Sequence, residues 1–220
     1  MGAALSGFTA ESAAALSGPD WLRSERRAAF ERFDSSDLPT DALEEWRYSR
    51  IEQLELERYA PALELRTGEV RAHPADEIAN QLLRVLKQQT GVTVVETLDG
   101  LVSELSVSPG SGIEIGDLSD GGDRPEHRAI GEDPDSFVTL NRAFAGSWIN
   151  VLAPKRSQAG TVVVLHRVGN GGVAAFPRIT VDVQEAAELT VVEVFAGGSG
   201  SLVVPVAELS VGDAAHLSYL

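Results

Sequence analysis

From Ile149 to the last residue the chain is a succession of short β-rich segments with no helical pattern between them, and this run constrains the fold more than any other feature. The segments are Ile149–Leu152, Thr161–Val168, Arg178–Val183, Leu189–Phe195, Leu202–Val206 and Ala215–Leu220, separated by turns of Gly, Pro, Asp and Ser. Two architectures accommodate such a run: an antiparallel sandwich or barrel, and a parallel β-helix whose coils stack. The spacing between segments is irregular and does not decide between them. The final residues, Ala215 to Leu220, alternate like a strand with no turn or cap after them, which leaves a stacking face or edge unprotected.

Before residue 136 the pattern differs. Thr9 is placed to cap an Ala-rich helix, and after the Gly18-Pro19-Asp20 break a second helix runs from Trp21 to Phe33. Pro39 closes a polar turn, and Asp41-Ala42-Leu43-Glu44-Glu45 starts a further short helix with its acids at the positive end of the dipole. Trp46 and Tyr48 follow, and their size predicts that they pack this arm onto the body. Asp76 to Gln89 reads as an amphipathic helix whose apolar stripe is Ile78, Leu82, Val85 and Leu86, with Gly91 at its C-terminal cap. Val92 to Val95 reads as a strand. Residues 108–134 are rich in Gly, Asp, Ser and Pro and read as loop around one strand at Ile113 to Ile115. Phe137 to Phe144 suggests another helix. The expected division is residues 1–135, a helical or α+β region with a loop-rich junction at about 108–135, and residues 136–220, the start of a β-rich core.

Charge and composition exclude several functions. With 33 acids against 18 bases the net charge is −15, which disfavours nucleic-acid backbones and anionic membrane surfaces. There is no cysteine, hence no disulfide, thiolate nucleophile or thiolate-held metal cluster. Met1 to Ser6 has no basic leader, and no uninterrupted apolar run approaches a membrane span of roughly 20 residues, so a cytoplasmic location is expected.

The motifs that could carry chemistry are incomplete. Gly169-Asn170-Gly171-Gly172-Val173-Ala174 follows a strand and matches a dinucleotide fingerprint, but Phe176-Pro177 and β-branched residues come where the phosphate-binding helix must start. Gly197-Gly198-Ser199-Gly200-Ser201 lacks the lysine of a phosphate loop. His73, His127, His166 and His216 stand singly, without metal-binding spacing, and the Gly-flanked Ser111 and Ser199 are not in a nucleophile elbow. The acid pairs Asp182 with Glu185 and Glu188 with Glu193 raise a polysaccharide hydrolase or lyase, whose carboxyls stand about 5–10 Å apart. Few strand aromatics are present for sugar stacking, which favours solvated acids on an outer face. No catalytic, cofactor-binding or metal residue is assigned.

A family resemblance rests on four blocks in order: Leu38-Pro39-Thr40-Asp41-Ala42-Leu43-Glu44-Glu45-Trp46-Arg47-Tyr48-Ser49, Leu140-Asn141-Arg142-Ala143-Phe144, Val151-Leu152-Ala153-Pro154 and Phe176-Pro177-Arg178-Ile179. These blocks resemble SufD, the paralogue of SufB in Suf iron–sulfur cluster assembly, from about Trp21 onward except between Glu69 and Pro134. The lack of cysteine and the Pro-Thr-acidic-aromatic block favour SufD over SufB. The resemblance implies a right-handed parallel β-helix core after the α+β region, truncated before a C-terminal helical domain, so that the chain is an N-terminal fragment. It implies a non-catalytic scaffold in a hetero-oligomer with SufB-like and SufC-like proteins, the latter supplying ATPase activity, and a role in iron acquisition. The Fe–S cluster would be assembled on the complex, with no cofactor bound by these residues. The family's SufC-docking helices and cluster-proximal histidine fall beyond the matched region, so none is carried over. The competing expectation is a β-rich protein- or carbohydrate-binding module without a role in cluster assembly.

Overall fold

A computed structural model of the chain describes residues 7–65, 74–125, 130–131, 134–169 and 171–220. Two helices open it, α1 (Ala10–Ala15) and α2 (Asp20–Asp34), the first closed by a reciprocal capping box between Thr9 and Ser12. Three single 3-10 turns lead to β1 (Ala60–Pro61). Then come α3 (Pro74–Leu86), β2 (Val92–Leu98), β3 (Leu101–Ser106), β4 (Glu114–Asp117) and α4 (Ser136–Phe144). The Asp135 carboxylate caps α4 by accepting from the Phe137 and Val138 amides at 2.8 and 2.9 Å. Eight strands follow: β5 (Ile149–Ala153), β6 (Gln158–Val168), β7 (Val173–Ala175), β8 (Arg178–Val183), β9 (Glu188–Gly197), β10 (Leu202–Val203), β11 (Val206–Val211) and β12 (His216–Tyr219).

The architecture is mixed α/β with three mostly parallel sheets, ordered β1-β7-β10, β11-β8-β5-β4 and β12-β9-β6-β2-β3, and none is closed into a barrel. Every pairing among β5 to β12 is parallel, so the run is not an antiparallel sandwich. The chain enters the three sheets in a fixed order and then repeats it. Ile149 pairs with Ile179, an offset of 30 residues, and Arg178 with Val206, an offset of 28. Antiparallel β3 and β4 lie at the far edges of their sheets. The earlier region therefore shares its sheets with the later one, since β2 pairs with β6 and β1 with β7.

The corners recur with the strands. Pro177 and Pro205 stand just before β8 and β11, where a residue with no N–H and a fixed φ lets the chain leave one sheet for the next. Pro205 is why the expected single segment Leu202–Val206 divides into β10 and β11. Arg156, Ala186 and Ala214 occupy the equivalent corner in successive rounds, all left-handed at φ 59°, 56° and 55°.

The core has distinct compartments. Alternate residues of β5, β6, β8 and β9, among them Val151, Val162, Val181 and Val191, are buried between two sheets. A cluster of Phe8, Phe137, Phe144 and Phe176 joins the helices to the sheet β1-β7-β10, with Phe8 and Phe144 edge to face at 5.3 Å. Arg26, also buried, donates to the carbonyls of Leu16, Ser17, Ala145 and Gly146 and so fixes α2 to the end of α4. Burial lowers its pKa to about 10.

Two sequence expectations change. Trp46 packs on Phe137 at 5.1 Å, but Tyr48 is 88% exposed and holds nothing to the body. On α3 the buried residues are Ala79 and Leu83; of the expected stripe Leu86 packs partly buried beside them, whereas Ile78 and Val85 are 71% and 57% exposed. The stripe read from the sequence and the packed stripe are thus neighbours on one helix.

Replacing Ala186 or Ala214, both exposed and left-handed, with Gly removes a Cβ penalty of roughly 1 kcal/mol. Each variant is expected to raise unfolding stability in urea by about 0.5 kcal/mol, and the pair to add.

Candidate functional site

The first polar feature is a buried node. Arg178 on β8 and Glu208 on β11 form an ion pair whose side chains are 1% and 2% exposed. Arg178 also donates to Asn141 Oδ1 at 2.9 Å and lies over the Trp148 ring, 4.4 Å from its centroid. Asn141 on α4 donates in turn to the carbonyls of Pro177 and Val204, and Trp148 Nε1 donates to Thr180 Oγ1 at 2.6 Å. One cluster therefore fixes α4, the strand start at Trp148 and two successive rounds of strands against each other.

Beside this node, the outer face of β4, β5, β8 and β11 forms the floor of a polar groove of about 700 Å³. Glu114, Asn150, Thr180, Asp182 and Ser210 line it, and Asp123, Arg124 and Pro125 form a wall. The register places Glu114, Leu152, Asp182 and Ser210 in one row across the strands. Lining groups of this kind can hydrogen-bond a polar ligand; no aromatic ring lies among them.

The second network includes His166, singled out as an isolated strand histidine. It is buried, stacked on Phe195 with ring centroids 4.8 Å apart, and its Nδ1 lies 2.8 Å from Thr97 Oγ1. Nε2 faces Glu193 Oε1 at 2.9 Å, and Tyr219 on β12 donates to the other Glu193 oxygen. Thr97, His166 and Glu193 thus have the contacts of a nucleophile, base and orienting acid. Thr97 is 1% exposed, however, and no substrate can reach its hydroxyl. The network is a structural bond among β2, β6, β9 and β12. Burial is the largest influence on Glu193 and pushes its pKa up, but hydrogen bonds from His166 and Tyr219 outweigh it and leave the carboxyl below its usual range. Burial first, then the bond to Glu193, pushes the Tyr219 phenol up.

The remaining sequence candidates separate. Asp182 faces the groove, whereas Glu185 pairs with Lys155 and Arg156 at a corner. Glu193 is held inside its network, and Glu188 sits at the exposed start of β9 opposite Gln158 and His216. The glycine run after β6 leads into strand β7 rather than a helix, and Gly171 and Gly172 donate to the carbonyls of Ser199 and Gly200. Both glycine-rich stretches are stacked corners. Ser111 is buried and accepts from the Ile113 amide. His216 is exposed, and His73 and His127 lie outside the described residues. Among the described residues no group of three or more His, Cys, Asp or Glu is placed to hold a metal, and no helix is long and apolar enough to cross a membrane.

At one end of the molecule β10, β11 and β12 are each the last strand of their sheet. Their outer edges present backbone groups that another strand can pair with. No protein-family model matches the chain, and no curated protein matches it.

Two measurements probe these networks. Truncating Glu208 to Ala strands the Arg178 charge in the interior and is expected to cost about 3–5 kcal/mol of unfolding stability. The effect of pH should be two-sided. As pH falls through the lowered Glu193 pKa, the stabilisation of its carboxylate is lost. As pH rises past the ordinary tyrosine range near about 10, the unfolded chain ionises while folded Tyr219 resists, so stability falls again. Glu193→Gln should flatten the acid limb and Tyr219→Phe the alkaline limb of a stability–pH curve.

Proposed function

We propose that this chain is a non-catalytic scaffold subunit of SufD type in iron–sulfur cluster assembly, built on a right-handed parallel β-helix. The observation that carries the proposal is the repeated parallel path through three sheets at offsets of 28 and 30 residues, with corner chemistry recurring in register. This is the path that a stacked-coil core requires, and such a core is what the blocks at Leu38–Ser49, Leu140–Phe144, Val151–Pro154 and Phe176–Ile179 lead one to expect. Right-handedness follows from the strong preference of parallel crossovers for that hand. In this reading the groups that handle sulfur and iron belong to partners or to segments outside these residues.

The partners are a SufB-like protein and a SufC-like ATPase, in a cytoplasmic hetero-oligomer with a role in iron acquisition. Cluster chemistry proceeds on the complex, and ATP hydrolysis belongs to the SufC-like subunit. A second reading, a β-rich protein- or carbohydrate-binding module, draws on the polar groove across β4, β5, β8 and β11.

Co-expression with the neighbouring genes, followed by pull-down and mass spectrometry, separates the two. Recovery of a SufB-like protein together with an ATPase is the expected result. Glycan binding with no ATPase recovered would replace the scaffold by the module. Alone, residues 1–220 are expected to bind a SufC-like ATPase weakly, and tight binding would count against this division of roles.

A further inference from the structure

Arg124 lines the polar groove and also a second cavity of about 700 Å³, which lies against α2. Trp21, Glu25, Ala28 and Arg32 recur at helical spacing, so they share one face of α2, and all four line this second cavity. Ala28 and Ala29 stand midway along that face, where small side chains leave room between the indole at one end and the guanidinium at the other. Helix α4 contributes Arg142. The walls are fixed by contacts of their own. Trp21 Nε1 donates to the Gly122 carbonyl at 3.0 Å, and its ring meets Trp148 edge to face with centroids 5.7 Å apart. The Glu25 carboxylate accepts from Arg124 at 3.0 Å and holds that guanidinium at the cavity.

Among the described residues that line this cavity three are arginine and one is acidic, a local reversal of sign in a chain whose net charge is −15. The planar fork of arginine matches the oxygens of a phosphate or carboxylate. A guanidinium carries several N–H donors, so one already engaged with a protein group keeps others to turn toward an anion. Glu25 offsets one of the three positive charges, and the remainder matches a dianion. The volume suits a small organic molecule better than a single bare ion, and the Trp21 ring offers a surface for its carbon frame.

We propose that Arg32, Arg124 and Arg142 form a binding site for a small dianionic molecule, a phosphate ester or a dicarboxylate, seated between α2 and α4 with its carbon frame against Trp21. The inference goes beyond the scaffold reading and stands or falls without it.

Isothermal titration calorimetry of the 220-residue chain with phenyl phosphate and with succinate, at low ionic strength, tests the site and tells the two head groups apart. Saturable binding of at least one is expected, and the tighter of the two identifies the head group. Arg32→Gln lies at an exposed position, so the fold should persist, and binding should weaken about tenfold or more, the scale of one hydrogen bond to a charged group. Adding Arg142→Gln should abolish binding; if loss of that half-buried side chain disturbs folding, the single variant still decides. Arg23→Gln removes the same charge from α2 outside the cavity and should leave the affinity unchanged. No heat of binding from either compound at millimolar concentration would overturn the proposal. So would equal losses of affinity in Arg23→Gln and Arg32→Gln, the mark of attraction to net charge alone, or full affinity retained in Arg32→Gln, which would place the bound anion elsewhere.

Discussion

The ion pair between Arg178 and Glu208 is the contact on which the stacking of the rounds depends. A buried pair adds little stability in itself, because desolvation offsets most of its attraction. Its value lies in what it forbids. A one-residue slip of β11 on β8 would turn Glu208 to the opposite face of its sheet and leave Arg178 unanswered in the interior. Apolar strands with similar faces do not resist such a slip strongly, since Val, Ile and Ala exchange neighbours at small cost. Asn141 extends the same constraint to α4 by bonding to carbonyls just before β8 and before Pro205. One charged residue on each of two strands and one amide on a helix therefore determine the register of the last two rounds.

Much of the fold was legible as segments and little of it as pairing. The strands at 149–153, 178–183 and 216–219 lie where alternation and turn residues placed them, as does α4. Strand β3 was missed because Leu101 to Ser106 is only weakly apolar and half exposed. The signal was nevertheless present in Asp99-Gly100, whose left-handed φ values of 55° and 86° make a tight hairpin turn with β2. Parallel pairing left a fainter trace. Pro177 and Pro205 stand 28 residues apart, each after a glycine-rich stretch, but unequal strand lengths on either side blur the repeat in the sequence.

The polar groups show why single residues in a sequence are hard to interpret. His166 looks like any strand histidine until Thr97, Glu193 and Tyr219, all distant along the chain, close around it. The acid pairs near in sequence were separated in two ways: Asp182 lies on β8 and faces the groove while Glu185 lies in the corner after it, and Glu188 and Glu193, both on β9, are an odd number of residues apart and so face opposite sides of the strand. The α3 stripe errs differently. Periodicity located one apolar seam, Ile78, Leu82, Val85 and Leu86, whereas Ala79 and Leu83, next to it on the helix, are the residues buried against Val94 and Leu165.

The pairing of β2 with β6 carries a consequence for biosynthesis. A ribosome delivers Val92 to Ser106 well before Thr161 to Arg167, so the β2–β3 hairpin emerges with one side unmatched and waits for the chain that completes it. Once β6 has arrived, β9 meets a finished template, and β12 meets another. Each later addition then closes a loop of similar, modest length, so only the first closure is slow. Nascent chains paused between residues 106 and 158 would be the vulnerable species during translation, with a hydrogen-bonding margin in search of a mate.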